Sequence, residues 1–208
     1  LTFSMMYFNN EQYLLPLSHD EVVHGKATII GKMYGEYDEK FAQLRSLYMY
    51  MIIHPGKKLN FMGNEIAHFR EWDEKRQQDW DLLSYPKHKA FSDYMKELNN
   101  IYLNNSSLYS KDYENDGFNW IDCHKESECV YAIERNGNNN KLIAIFNFSD
   151  QPRHYETQLS DINEIRLLLN TDWKSFGGNT ENNSCVYTFN NNTLFCDLPA
   201  YSSMLFSV

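Results

Sequence analysis

The chain has 208 residues, with 19 Lys and Arg against 28 Asp and Glu and a formal net charge of −9, a balance that disfavours a sequence-independent grip on nucleic-acid phosphates. Hydrophobic residues make up 42% and aromatic residues 15%, which excludes a disordered chain and suffices for two modest domains, each with its own core. No apolar stretch reaches the roughly 20 residues of a membrane span, so neither nucleic acid nor membrane is an expected partner.

The first eight residues, Leu1 to Phe8, are too apolar for a free terminus and read as the tail of a buried element, as in a sequence cut from something longer. Tyr13 to Leu17 is a short apolar run that stops at Ser18-His19-Asp20-Glu21, the pattern of a buried strand with ionisable groups at its carboxyl end. Over Tyr37 to Ile53, Phe41, Leu44, Leu47, Tyr48 and Met51 recur at helical spacing, which predicts an amphipathic helix. His54-Pro55-Gly56 stops it, and Leu59 to Met62 reads as a second buried strand ending at Gly63-Asn64-Glu65. Strand, helix and strand in this order predict a βαβ unit with parallel strands. A second helix is expected over Lys87 to Leu103, with Phe91, Met95, Leu98, Ile101 and Tyr102 on one side.

Beyond about Asp112 the period changes from helical to alternating. Strands are expected at Phe118 to Asp122, Glu128 to Arg135, Lys141 to Phe148, Arg153 to Gln158, Ile165 to Leu169, Cys185 to Asn190, Thr193 to Leu198 and Ser202 to Val208. Asn136-Gly137 marks a hairpin, Asn191-Asn192 joins the sixth and seventh strands, and Asn179 to Ser184 is expected to be a mobile loop. This half reads as an antiparallel β-sandwich. Two parallel strands with their helices cannot bury both faces of a parallel sheet, so the α/β part is incomplete; if it belongs to an eight-stranded barrel, roughly six strand-helix units are missing from its N-terminal side, whereas the sandwich looks whole.

The four cysteines, Cys123, Cys129, Cys185 and Cys196, form no C-x-x-C pair. Reduced, packed thiols are expected, since no signal peptide that would favour two disulfides is visible, and a cytoplasmic location follows as the default. Catalytic groups of parallel barrels project from the carboxyl ends of strands, the position of His19 and Asp20. Glu65 ends the next parallel strand, and neighbouring strands lie about 4.8 Å apart. A self-sufficient Asp20–Glu65 pair is disfavoured because an open half-sheet cannot hold it rigidly. Glu21-x-x-His24 and Glu65-x-x-His68 repeat a spacing used by di-iron bundles, but Pro16, Gly25 and Gly63 deny them the long helices such sites need. No metal and no cofactor is expected.

The run Pro16-Leu17-Ser18-His19-Asp20-Glu21-Val22-Val23-His24-Gly25-Lys26 resembles the fourth sequence region of the alpha-amylase clan in the form found in bacterial glycogen branching enzymes. Lys40-Phe41-Ala42, Leu44-Arg45, Leu47-Tyr48, His54-Pro55-Gly56-Lys57-Lys58-Leu59, Phe61-Met62-Gly63, Arg70-Glu71-Trp72, Asp79-Trp80 and Leu169-Asn170-Thr171-Asp172 are similar to that family in the same order. The resemblance implies that the intact protein cleaves an α-1,4-glucan and transfers the segment to a 6-hydroxyl. It also implies a retaining double displacement with carboxyl groups about 5 Å apart, and a fold class of α/β plus all-β: the last strands and helices of an incomplete (β/α)8 barrel over 1–110, then a C-terminal antiparallel β-sandwich over 111–208.

It implies that Asp20 stabilises the transition state and that His19 hydrogen-bonds sugar hydroxyls. Glu65 is expected to orient neighbours or sugar hydroxyls, and Trp72 and Trp80 are candidates for stacking on sugar faces, with a buried packing role the equal alternative for each. Expected partners are α-glucans (glycogen, amylose and maltooligosaccharides) and the missing N-terminal barrel portion carrying the nucleophile and general acid, without which the chain should be inactive. The wording departs from the family at Gly63-Asn64-Glu65-Ile66-Ala67-His68, where Gly-Gly-Glu-Phe-Gly-Gln is usual, and this puts acceptor-side details in doubt. Against the enzyme reading stands a non-catalytic glucan-binding or structural module. Exposed barrel edges and the apolar start also predict poor solubility or oligomerisation of the isolated chain.

Overall fold

The computed structural model describes residues 2–6, 8, 12, 14–159, 162, 164–183, 185–188 and 192–208. Leu1, Tyr7, Tyr13, Ser184, Phe189, Asn190 and Asn191, which the sequence reading includes in its elements and loops, lie outside them.

Strand β1 (Leu14–Leu17), helix α1 (Tyr37–Ile53) and strand β2 (Lys57–Asn60) form the expected βαβ unit, with β1 and β2 parallel and Leu14 opposite Lys57, Leu17 opposite Asn60. Glu36 and Glu39 close a capping box at the start of α1, each carboxylate accepting the other residue's backbone N–H, which satisfies donors that a helix start leaves free. The chain leaves α1 through His54-Pro55 and turns at Gly56, whose φ of 106° suits a residue without Cβ.

Two expectations about the strands need correction. The second strand is Lys57–Asn60 rather than Leu59 to Met62, and neither strand is buried: Leu14 is 57% and Leu59 40% exposed.

Helix α2 (Pro86–Asn104) begins with proline at its first position, where the missing N–H costs nothing. It buries His88, Phe91, Tyr94, Met95, Leu98 and Ile101. Helix α1 is not simply amphipathic, as its spacing suggested. Besides Phe41, Leu44, Tyr48 and Met51 it buries Arg45, Ser46, Met49, Ile52 and Ile53, and a helix apolar on nearly every side is one enclosed by protein.

The enclosing layer is antiparallel. Strands β3 (Phe118–Lys125), β4 (Val130–Asn136), β5 (Lys141–Asn147), β7 (Glu164–Asn170), β8 (Val186–Thr188) and β10 (Ser203–Ser207) form one sheet in the order β3-β4-β5-β10-β7-β8. Strands β6 (Arg153–Gln158) and β9 (Thr193–Leu198) form a separate pair, whose inward residues Tyr155, Leu194, Cys196 and Leu198 belong to the same apolar core as Ile133, Ala144 and Phe146. The hairpin marked by Asn136-Gly137 connects β4 and β5, with the Gly137 N–H donating to the Asn140 carbonyl at 2.8 Å. The strands on either side of Asn191-Asn192 lie in different sheets, β8 with β7 and β9 with β6, so local alternation misses their partners. The loop expected to be mobile is anchored at Asn179, Thr180 and Asn182, which donate to Asp172 and Ser175.

Helix α1 joins the two regions through polar groups as well as apolar ones. The Arg45 guanidinium, 3% exposed, donates to the Thr171 carbonyl at 2.5 Å and the Phe176 carbonyl at 3.2 Å. Ser46 Oγ donates to the Tyr201 carbonyl at 2.6 Å. At the other end, the fully buried Arg135 of β4 donates to the Ile53 carbonyl at 2.5 Å, to the Gly117 carbonyl at 3.1 Å and to Asp112 at 2.8 Å, and Lys57 of β2 reaches the same carboxylate at 3.2 Å. Buried charge is tolerable where each polar atom finds a partner.

Candidate functional site

The carboxyl ends of β1 and β2 lie side by side and carry the ionisable cluster. Ser18 caps a single 3-10 turn, His19–Glu21, its Oγ accepting the Asp20 N–H at 3.3 Å. Val22 and Val23 then plunge into the interior at 3% and 5% exposure, so the turn is pinned at its apolar end and presents His19, Asp20 and Glu21 outward. His19 Nε2 lies 3.3 Å from Asp20 Oδ1, and both side chains are more than half exposed.

The loop after β1 is held by charges from both directions. Lys26 Nζ donates to the Asp20 carbonyl at 2.8 Å, while Lys32 donates to the carbonyls of Glu21 and Ala27. From the loop after β2, the Glu71 carboxylate accepts the Gly25 N–H at 2.9 Å and the Ala27 N–H at 2.7 Å. Those two bonds draw the Glu71 carboxyl below the usual carboxylate range. The segment needs such ties, because His24, Gly25 and Ala27 all have φ between 60° and 76° and the left-handed region costs a residue with Cβ energy that surrounding structure must offset.

The loop after β2 is stitched in its turn. Arg70 grips Asp79 with two hydrogen bonds of 3.1 and 2.8 Å, and His68 Nε2 lies 3.0 Å from the same carboxylate. The Arg70 bonds hold the Asp79 carboxyl down. The Trp72 N–H donates to the Val22 carbonyl at 3.0 Å, joining the two loops.

Above these ties, the rings of Phe61 and Trp72 meet edge to face at 5.3 Å, with the His19 ring 5.9 Å from Phe61 and 6.3 Å from Trp72. His19 and Trp72 line a cleft of about 430 Å³, together with Val23, His24, Arg70, Glu71, Asp73, Glu74 and Arg76. The structure thus brings His19 and Trp72 together in one cleft, while Asp20 touches His19 but is not part of the lining. Glu65 sits apart from the cleft lining, half-buried on a 3-10 turn (Asn64–Ile66) between left-handed Gly63 and Ala67. Its charge bears on Tyr48, whose phenol is pushed up by burial first and by the Glu65 carboxylate second. Sequence reading gave no role to Phe61, Lys26, Lys32 and Glu71. Phe61 and Glu71 were signalled only as members of Phe61-Met62-Gly63 and Arg70-Glu71-Trp72. Among the described residues no group of three or more His, Cys, Asp or Glu could hold a metal ion, and both Glu-x-x-His units start on three-residue turns.

Residues 120–208 match the all-beta C-terminal domain of alpha amylase. The chain is 43% identical to the 1,4-alpha-glucan branching enzyme GlgB of Halothermothrix orenii over 89% of its own length, 46% identical to that of Oceanobacillus iheyensis over 88%, and 43% identical to that of Aquifex aeolicus over 86%. It spans about three tenths of the length of these curated relatives, 30%, 29% and 29% respectively. The chain resembles the C-terminal part of bacterial 1,4-alpha-glucan branching enzymes.

Proposed function

We propose that this chain is the C-terminal part of a glycogen branching enzyme, with 1–110 completing a (β/α)8 barrel and 111–208 forming the amylase-type β-sandwich. The observation that carries the reading is the similarity to branching enzymes over nearly nine tenths of the chain, combined with a His19–Asp20 pair at the carboxyl end of a parallel strand. In the intact enzyme an α-1,4-glucan is cut and the segment rejoined through a 6-hydroxyl. The nucleophile and the general acid come from the rest of the barrel.

Asp20 acts on the sugar ring as it becomes cationic. A carboxylate beside that ring gains more attraction in the transition state than in the ground state, which lowers the barrier rather than merely tightening binding. His19, 3.3 Å from Asp20, donates to sugar hydroxyls and helps fix the carboxylate. Trp72 offers an aromatic edge and face to the sugar next to it, braced by Phe61. Glu65 binds acceptor or donor hydroxyls from the neighbouring strand end. The partner is thus an α-glucan. No helix among the described residues is long and apolar enough to cross a membrane.

The test is branching of amylose, followed by the loss of iodine colour and by 1H NMR of α-1,6 linkages. Asp20→Asn in the intact enzyme should lower kcat by about a hundredfold or more, the scale of a lost transition-state electrostatic contact, with little change in KM. Wild-type-like kcat in that variant would sink the assignment. Trp72→Ala should instead raise KM.

A further inference from the structure

We infer that Glu71 is a positioning residue for Asp20, acting through Lys26; this rests on the transition-state role proposed for Asp20 above. The Asp20 side chain is 71% exposed and lies against His19, so its carboxylate stands where its backbone puts it. That backbone is held by two amines. Lys26 Nζ donates to the Asp20 carbonyl at 2.8 Å, and Lys32 Nζ donates to the next carbonyl, that of Glu21, and to that of Ala27.

Lys26 can hold the Asp20 carbonyl only if its own backbone is fixed, and the loop around it departs from ordinary geometry. His24, Gly25 and Ala27 have φ of 60°, 76° and 62°, a region that a residue with Cβ leaves unless its surroundings keep it there. The group that keeps it there is Glu71. Its two carboxylate oxygens accept the N–H groups of Gly25 at 2.9 Å and Ala27 at 2.7 Å, the residues on either side of Lys26. Backbone N–H groups turned toward one point form a concave anion site, and here a carboxylate of the chain itself fills it. The same two bonds hold the Glu71 carboxyl below the usual carboxylate range, so the anion persists at neutral pH.

The neighbouring Trp72 is tied separately, its N–H donating to the Val22 carbonyl at 3.0 Å. Loss of the Glu71 carboxylate should therefore displace Lys26 and Asp20 while Trp72 stays in place. Misplacing by about 1 Å a group that acts on the transition state costs up to about a hundredfold in rate. The signature is a fall in kcat with KM preserved.

The test is branching of amylose by the intact enzyme carrying Glu71→Ala, Glu71→Gln, Lys26→Met or the pair Glu71→Ala and Lys26→Met. Each single variant should lower kcat by about 10- to 100-fold with KM within about twofold of wild type. The double variant should lose no more than the worse single one, because both changes break one relay. Glu71→Ala leaves the two N–H groups without their carboxylate, so added formate should raise its kcat about fivefold or more and leave the wild type unchanged. Glu71→Gln keeps the side-chain volume and one acceptor but turns an NH2 group toward a backbone N–H, and it reads the same loss should the alanine variant not fold. Wild-type kcat in the Glu71 variants, a loss carried by KM, a double variant showing the product of both losses, or a loss indifferent to formate would overturn the role of Glu71 while an inactive Asp20→Asn keeps the Asp20 assignment. Wild-type-like kcat in Asp20→Asn would remove both.

Discussion

The ionisation of His54 shows how one side chain reports on its surroundings. Its ring is 3% exposed, with Nδ1 at 2.8 Å from the Pro55 carbonyl and Nε2 at 3.1 Å from Ser4 Oγ. Burial, reinforced by the Lys58 and Arg135 charges, lowers its pKa to about 4, although the Pro55 carbonyl opposes this. A depressed histidine is neutral in the fold and protonated in the unfolded chain between about pH 4 and 6.5, so stability rises with pH across that window and is lost as pH falls through it. Thermal melts from pH 7 to 4 should show this loss, amounting at most to about 3 kcal/mol. His54→Gln should flatten that part of the profile.

Gly178 is a second single-residue constraint. A Cβ built there would lie 2.2 Å from the Asp172 carbonyl oxygen, so Gly178→Ala must push apart the turn that Asp172 closes through Asn179 and Thr180. The expected cost is about 1–3 kcal/mol, read from urea unfolding.

Between elements, the decisive contacts are polar groups fixed at helix and strand ends. Arg135 on β4 joins the last turn of α1, Gly117 and Asp112; desolvation would raise the Asp112 carboxyl, but Arg135, Lys58 and Lys57 together hold it below the usual carboxylate range. Removing Arg135 leaves Asp112 to the two lysines alone and strips the Ile53 and Gly117 carbonyls of their buried donor. Arg135→Met should therefore cost about 3–5 kcal/mol. Asp112→Asn should cost less in that background than in the wild type, and a double-mutant cycle of urea unfolding measures the difference. At the candidate site the equivalent device is Glu71, which ties the loop after β1 to the loop after β2 through Gly25 and Ala27.

For the whole molecule, α1 is the common wall. Its buried residues share one apolar core with α2 and with the antiparallel sheet, and Arg45 and Ser46 bond across to Thr171, Phe176 and Tyr201. A shared core unfolds as one unit. Calorimetry should show a single transition with equal calorimetric and van't Hoff enthalpies. Two resolved transitions near the 110/111 boundary would show instead that the two regions melt independently.

Local pattern was enough for much of this protein. The Tyr37–Ile53 helix and the strands Arg153–Gln158 and Thr193–Leu198 stand where their periodicity places them, because helical and alternating burial are written in neighbouring side chains. Ser18-His19-Asp20 stands out as ionisable groups at the end of an apolar run, a pattern that a strand-to-loop cap also produces, as Ser18 does here, so it is the resemblance over the rest of the chain that marks it as a candidate site.

Tertiary structure decided what sequence spacing cannot encode. Which sheet holds β8 and which holds β9, why Arg45 and Arg135 are buried, and how Glu71 reaches Gly25 all depend on contacts between residues far apart in the chain. The exposure of Leu14 and Leu59 belongs here too. An apolar run states that a face is suited to burial, and only the packed neighbours determine whether that face is covered.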